Sequence, residues 1–308
     1  MPARMLMVIF ALLLFLVPAG NSSAAQIQAQ YAGDDSCKEC HEEIYQGFRQ
    51  SVHGVSTDPR TPAARNKGFT CESCHGPGSI HAEEGEGGNI RALNARAQIP
   101  AEEKNAVCLR CHTKGKTALW QNSTHAERAL SCSDCHKVHG QNPKLLARSS
   151  QTELCTACHR QVRPLLFRRS HHPLREGKMQ CSDCHNAHGT IADKLVDAQY
   201  INLKCYECHA KIRGPHIWEH PSVVENCLTC HTPHGSVHAA LLTARPPYLC
   251  QRCHANADHP RVLQARNSAQ AGASIYGTLN NIGFYRACLN CHVAIHGSNH
   301  PSGKSFLR

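Results

Sequence analysis

The chain has 308 residues, with 20 Cys, 24 His, 5% aromatic side chains and a formal charge of +10. So few aromatics in a chain of two-domain length exclude an ordinary globule built on a large apolar core. The cysteine count leaves a disulfide scaffold, a zinc protein, or a chain that fixes another group through its thiols.

In chain order, the first feature is a short basic segment, Met1 to Arg4, followed by an apolar run from Met5 to Val17. Small residues at Ser23, Ala24 and Ala25 then form a cleavage site, so residues 1–25 read as a signal peptide for export. The apolar run is too short to span a bilayer comfortably. The mature chain, 26–308, is expected to carry no membrane anchor of its own.

From Cys37 onward a single pattern recurs. All twenty cysteines fall in Cys-x-x-Cys pairs, and a histidine follows each pair at once. The pairs are Cys37/Cys40, Cys71/Cys74, Cys108/Cys111, Cys132/Cys135, Cys155/Cys158, Cys181/Cys184, Cys205/Cys208, Cys227/Cys230, Cys250/Cys253 and Cys288/Cys291. The histidines are His41, His75, His112, His136, His159, His185, His209, His231, His254 and His292. Given the histidine content, ten chance coincidences have odds on the order of 10⁻¹¹, and neither disulfides nor zinc require a histidine there. Cys-x-x-Cys-His is the attachment signature of c-type haem: both thiols add to the porphyrin vinyls and the histidine ligates the iron. A short helix suits this spacing, because i, i+3 and i+4 lie on one side. Ten covalent haems c are expected, here called sites one to ten in chain order.

About 28 mature residues per site cannot build a separate peptide core around each porphyrin. The haems themselves must supply the core. With 21 Gly and 16 Pro, long regular elements are not expected. The fold class is therefore a multihaem cytochrome c: mostly irregular, with short α-helices, little or no sheet, and an elongated array of haems. The haem propionates offset the +10 charge, so the surplus does not point to nucleic acid. Arg110, Lys137, Arg160 and Arg252, each beside a motif, are candidate propionate partners.

The sites group into five two-haem units, about 37–88, 100–150, 151–198, 199–243 and 244–308, each with a first motif A, a histidine, a second motif B and another histidine. In the middle three units motif B reads Cys-x-x-Cys-His-x-x-His-Gly. Successive A motifs from unit two onward lie 47, 50 and 45 residues apart. A fixed period implies a quasi-linear repeat. The end units are stretched, with 34 and 38 residues between motifs against 22 to 26 in the middle. Glu83 to Gly88 reads as a linker, Pro100 to Glu103 as a helix start, and Leu263 to Ala271 as a further helical stretch.

The repeat also supplies a second histidine for each iron: His53, His81, His125, His139, His172 (or His171), His188, His220, His234, His259 and His296, the last in competition with His300. His216 and His238 are spare. Only Met179 could serve as a methionine ligand in the mature chain, so bis-His coordination is expected throughout. His139 is too close to His136 to reach the far face of the same haem, and should serve a neighbour. An iron with both axial positions filled by protein has no place for a substrate. The expectation is an electron carrier with no catalytic residues; the alternatives are a soluble periplasmic shuttle or reductase subunit and, less favoured, a multihaem reductase.

Residues 171–190, 219–236, 245–254 and 286–301 carry a resemblance that extends over the mature chain. The sequence resembles the MtrA/DmsE-type periplasmic decahaem cytochromes. The resemblance implies an outer-membrane β-barrel porin as partner, into which the cytochrome inserts. It also implies a periplasmic or inner-membrane cytochrome that exchanges electrons with it, and an extracellular multihaem cytochrome at the far end. Localisation would be periplasmic, held at the outer membrane by the barrel. Flow would run outward to metals or dimethyl sulfoxide, or inward from ferrous iron.

Overall fold

The computed structural model describes residues 28–54, 70–85, 88–94, 96–140, 142–254, 288–301 and 303–307. The signal peptide, His259 and the helical stretch expected at Leu263 to Ala271 lie outside these. The described residues form short α-helices and single 3-10 turns, with isolated bridges in place of strands. None of their helices is long and apolar enough to cross a membrane.

One element departs from the expectation of short pieces. A 17-residue helix, Asp34–Gln50, carries the first motif. Asp34 and Asp35 lie in its first turn and Arg49 in its last, a distribution that suits the helix dipole. It is not regular: His41 has φ −119° and ψ 40°, so two shorter helices meet there.

The two motif types fold differently. In units two to four, motif A sits at or near the C-terminal end of a helix: Ala101–Leu109, Gln151–Cys158 and Ile201–Tyr206. Motif B instead opens its own single turn, as at Cys132–Cys135, Cys181–Asp183 and Cys227–Thr229. In both, the histidine N–H donates to the carbonyl of the first cysteine, at 3.0 Å in His112 and 2.9 Å in His136. That closed turn brings two thiols and an imidazole to one side.

Asp34, Asn105 and Asn202 stand three residues before the first cysteine of motif A in their units, and each receives the backbone N–H of the first cysteine of motif B. The distances are 2.9 Å to Cys71, 2.7 Å to Cys132 and 2.8 Å to Cys227. In unit three Gln151 takes this role one residue earlier, accepting from the Ser182 N–H at 2.9 Å. A polar residue at that position ties the two motifs of a unit together.

Asn202 is 1% exposed and also donates to the Val223 and Val224 carbonyls, both at 2.9 Å. Asn202→Leu keeps the volume but strands three backbone groups, and should cost about 2–5 kcal/mol. Denaturant unfolding of the haem-loaded protein measures this. An unchanged midpoint would mean that the tie is dispensable.

Among the described residues the buried apolar side chains are Phe48, Trp120 and Leu166, while eleven polar or charged residues are buried. Such a set cannot hold a domain of this size by apolar burial. Large apolar side chains such as Ile191, Ile217 and Tyr248 stand exposed in the polypeptide alone. This is the pattern expected of a wrapping around another apolar body.

Contacts between units join consecutive units. Ser170 of unit three pairs in both directions with Ser236 of unit four, at 3.0 and 2.7 Å. Trp218 of unit four pairs in the same way with Ser298 of unit five, at 2.9 Å each. These bridges lie two residues from His172, His234, His220 and His296, so they carry the expected second ligands to the junctions. The junction of units two and three requires glycine. Gly189, at φ +120°, would place a Cβ 2.5 Å from the Leu119 carbonyl oxygen.

Candidate haem sites

Two imidazoles bound at about 2 Å to opposite sides of one metal stand with ring centres roughly 6 Å apart. The structure brings nine motif histidines into such pairs. His41 faces His81 at 6.2 Å. His75 faces His139 and His112 faces His53, both at 6.0 Å. His136 faces His188 and His159 faces His125, again at 6.0 Å. His185 faces His234 at 6.0 Å and His209 faces His172 at 6.3 Å. His231 faces His296 and His254 faces His220, both at 6.1 Å. Of the motif histidines this leaves His292, and of the second histidines His259, which lies outside the described residues.

The pairing follows a rule that sequence spacing does not reveal. The histidine between motifs A and B faces motif A of the next unit: His53, His125, His172 and His220 all do so. The histidine after motif B faces motif B of the preceding unit: His139, His188, His234 and His296 all do so. Each junction is thus crossed twice, once in each direction. In unit one the histidine after motif B, His81, instead faces His41 of the same unit.

Two ambiguous positions separate. His172 faces His209, whereas His171 contacts the Arg168 carbonyl at 2.6 Å and the Glu176 carboxylate at 3.1 Å. The hydrogen bond to Glu176 pushes the His171 pKa up, favouring its charged form. His296 faces His231, whereas the His300 carbonyl accepts from the Trp218 indole at 3.0 Å. His216 lines a cavity of about 210 Å³ together with His296, Arg213 and Tyr206, and its buried Nε2 has no hydrogen-bond partner among the described residues.

The rings are oriented by backbone carbonyls. Nδ1 of His75, His136, His185, His231 and His292 lies 2.5 to 3.0 Å from the carbonyl oxygens of Arg91, Lys144, Lys194, Ala240 and Ser305. A carbonyl can only accept, so Nδ1 carries the proton and Nε2 keeps its lone pair. That is the tautomer a metal requires. Lys144, Lys194 and Ala240 have φ near +55° (57°, 56° and 53°), which turns the chain back over the motif. His125 and His172 are held likewise, by the Ala187 and Pro233 carbonyls at 2.8 Å.

Most of the second histidines are held neutral by their surroundings. Burial pushes the pKa of His53, His139, His188, His220, His234 and His296 down, and in each the facing imidazole pushes it further. These rings are therefore neutral at neutral pH. Phe48 packs edge-on against His139 and Trp120 lies tilted against His188, so two of the buried aromatics support second histidines.

All twenty cysteines are unbridged. Within each unit the first thiols of the two motifs meet: Cys37 with Cys71, Cys108 with Cys132, Cys155 with Cys181, Cys205 with Cys227 and Cys250 with Cys288. Between units, the second thiol of motif B meets the next motif A, as Cys74 does Cys108 and Cys184 does Cys205. Cys135 does the same with Cys155, and Cys230 with Cys250. Burial pushes Cys71 up to about 12 and Cys205 and Cys250 up to about 11, so these are protonated thiols in the bare polypeptide.

Six of the expected attachment thiols differ from the rest. Cys40, Cys111, Cys158, Cys208, Cys253 and Cys291 are exposed in the polypeptide. The other fourteen are half-buried. The first five exposed thiols are the second cysteines of the five A motifs. In an A motif the first thiol turns toward motif B of its own unit, and no part of that unit covers the second. Cys291 is the second cysteine of the last B motif. Its counterparts Cys74, Cys135, Cys184 and Cys230 are less exposed, each near the A motif of the following unit.

Among the described residues no three Cys, His, Asp or Glu side chains converge on one point. A structural zinc needs four protein ligands. A porphyrin iron needs only two, because the macrocycle supplies the rest. Paired thiols beside paired imidazoles, with little apolar core, therefore fit haem c. Arg110, one of the expected propionate partners, donates at 2.7 Å to the Ser73 carbonyl, between sites two and three.

The tie at Asp34, Asn105 and Asn202 is what sequence reading missed. Its signal is a polar amide or acid three residues before the first cysteine of motif A, and Gln151 breaks the register by one.

Fold and site together define a multihaem c-type cytochrome, an electron carrier that binds haem c. Residues 71–154 match the cytochrome c-type protein NrfB-like family, and residues 171–214 and 220–259 match the doubled CXXCH motif. A curated relative, Multiheme cytochrome MtrA of Shewanella baltica (strain OS185), is 41% identical over 283 residues, covering 90% of this chain and 81% of the relative. The chain belongs to the MtrA family of multihaem cytochromes.

Proposed function

We propose that the chain binds ten haems c, one at each motif, and conducts electrons along them between periplasm and cell exterior within an outer-membrane β-barrel. The observation that carries the wire is the exchange of histidines between consecutive units. In the proposed ligand set each motif histidine binds one face of an iron and the facing histidine binds the other. His259 completes site ten with His292, by symmetry with His81 and His41 at the opposite end. Residues 1–25 direct export and are removed, and residues 26–308 form the five units. The protein's part is to fix spacing, ligation and potential.

The barrel, the cytochrome partners at each end, and substrates such as extracellular metals, dimethyl sulfoxide or ferrous iron rest on the family resemblance. Fractionation tests the barrel. The protein should co-purify from outer membranes with a β-barrel and carry electrons across a liposome wall. Recovery solely as free periplasmic protein would favour the soluble shuttle.

Ligand replacement tests the assignment. His172→Ala should convert about one haem in ten to high-spin, and His171→Ala should leave the spectrum low-spin. Electron paramagnetic resonance of the ferric protein reads both. The reverse outcome would exchange the roles of the two residues.

A further inference from the structure

The facing rings are not all oriented alike. Six pairs are near parallel, with interplanar angles of 7° at site one, 23° at site two, 14° at site four, 24° at site six, 20° at site eight and 23° at site nine. Three are crossed: 78° at site three, 69° at site five and 58° at site seven. The crossed pairs are the A motifs of units two, three and four, so crossed and parallel sites alternate from site two to site eight.

We propose that the row contains two electronic classes of haem, set by these ring planes, and that the crossed haems at sites three, five and seven are the easier to reduce. This rests on the ligand assignment proposed above. An imidazole donates π density into the iron d orbital perpendicular to its own plane. Parallel rings load the same orbital from both faces, which splits the d pair and stabilises ferric iron. Crossed rings load both orbitals alike, leave the pair nearly degenerate and forgo that stabilisation. Each reduction adds one electron to ferric iron and needs no proton.

The planes are held by the chain. At sites five and seven the second histidine is fixed by the Ala187 and Pro233 carbonyls, each belonging to the residue just before the histidine that follows motif B. At sites two, four, six and eight the motif histidine is fixed by the Arg91, Lys144, Lys194 and Ala240 carbonyls. A ring tied in this way cannot turn about its own axis without breaking its hydrogen bond.

Site nine is an A motif with parallel rings, and the sequence offers the cause. Unit five has three residues, Val293 to Ile295, between His292 and His296, where units two to four have two. The carbonyl that would catch the second histidine is displaced. His220 Nδ1 is buried with no hydrogen-bond partner among the described residues, and Phe306 packs edge-on against its ring at 5.5 Å. His125, His172 and their carbonyls thus position the planes at sites five and seven. Under stepwise reduction electrons would settle on alternate interior stations, separated by haems of lower potential.

Electron paramagnetic resonance of the full-length, fully oxidised, haem-loaded protein tests this. Crossed-plane ferric haem gives a strongly anisotropic signal at large g, and parallel-plane haem an ordinary rhombic one. Expected are both signals, with the large-g signal integrating to three haems or, depending on site ten, four. Under dithionite titration the large-g signal should fade first. A wholly rhombic low-spin spectrum, or a large-g signal that fades last, would overturn the proposal while leaving the ligand assignment intact. A high-spin signal would instead sink the ligand assignment. Deletion of Val293, which is 61% exposed, restores the two-residue spacing and should move one haem from the rhombic to the large-g population. An unchanged ratio in that fully haem-loaded variant would overturn the role given to the carbonyl.

Discussion

Replacing His188 with alanine is expected to open a haem in a different unit from the one that carries the residue. His188 lies three residues after His185, yet its ring faces His136 of unit two at 6.0 Å, and burial beside that ring holds it neutral. The variant should show high-spin iron equal to about one haem in ten, and that iron should bind carbon monoxide when reduced. Adding Cys132→Ala and Cys135→Ala should abolish the high-spin signal, because the opened haem is then absent. Adding Cys181→Ala and Cys184→Ala should leave it in place. The opposite result would place His188 on its own unit's haem and end the exchange rule. Loss of one strong axial ligand also shifts the potential of a station in mid-row. Electron transfer along the row should slow about tenfold for every 59 mV by which that station becomes a trap. Transfer across a liposome wall measures the loss.

The second large effect is expected at Gly235. Its φ is +154°, and a Cβ there would overlap the Leu165 carbonyl oxygen and carbon in unit three, far inside van der Waals contact. The obstacle is backbone, which has no side-chain rotamer to change. Gly235→Ala should therefore part units three and four, costing more than about 3 kcal/mol. His172 and His234 flank this junction and face sites seven and six, so both sites should lose their second histidine together. The readout is the accumulated, haem-stained protein and, in what survives, a high-spin signal near two haems. Gly177→Ala is the control: it has φ +70° but nothing within 4 Å, and should cost only about 1–2 kcal/mol. Equal accumulation of the two variants would show that the close approach at Gly235 is unimportant.

Much of the site was legible in the sequence, because covalent haem attachment demands local spacing. Cys181, Cys184 and His185 must share one turn, so the motif is complete within five residues. The second histidines were legible as a set, because they recur at similar places in the repeat. Their partners were not. His125 precedes Cys132 by seven residues and could serve any haem within reach of its loop; a hydrogen bond from its ring to the Ala187 carbonyl of unit three holds it facing His159 instead. The unequal cover of the thiols was hidden for the same reason. Cys111 and Cys135 hold the same place in identical motifs, and only the docking of unit three against unit two covers Cys135 and leaves Cys111 exposed. The ties at Asp34, Asn105 and Asn202 were also unread, since a lone Asn or Asp within a helix carries no sign of a contact more than twenty residues away.

The sequence by itself determined the chemistry: twenty thiols and ten adjacent imidazoles at a spacing that suits c-type haem, in a chain with too few apolar side chains to form another core. It determined the period as well, and so a quasi-linear order of units. The tertiary structure alone decided which histidines face one another, that they cross unit boundaries in both directions, and that His172 and His296 rather than His171 and His300 do so. It also decided the tilt of each ring, through carbonyls such as those of Ala187 and Lys194. The division has a physical cause. Thioether attachment is local, within one turn, whereas axial pairing and ring orientation depend on backbone contacts that form only when neighbouring units dock.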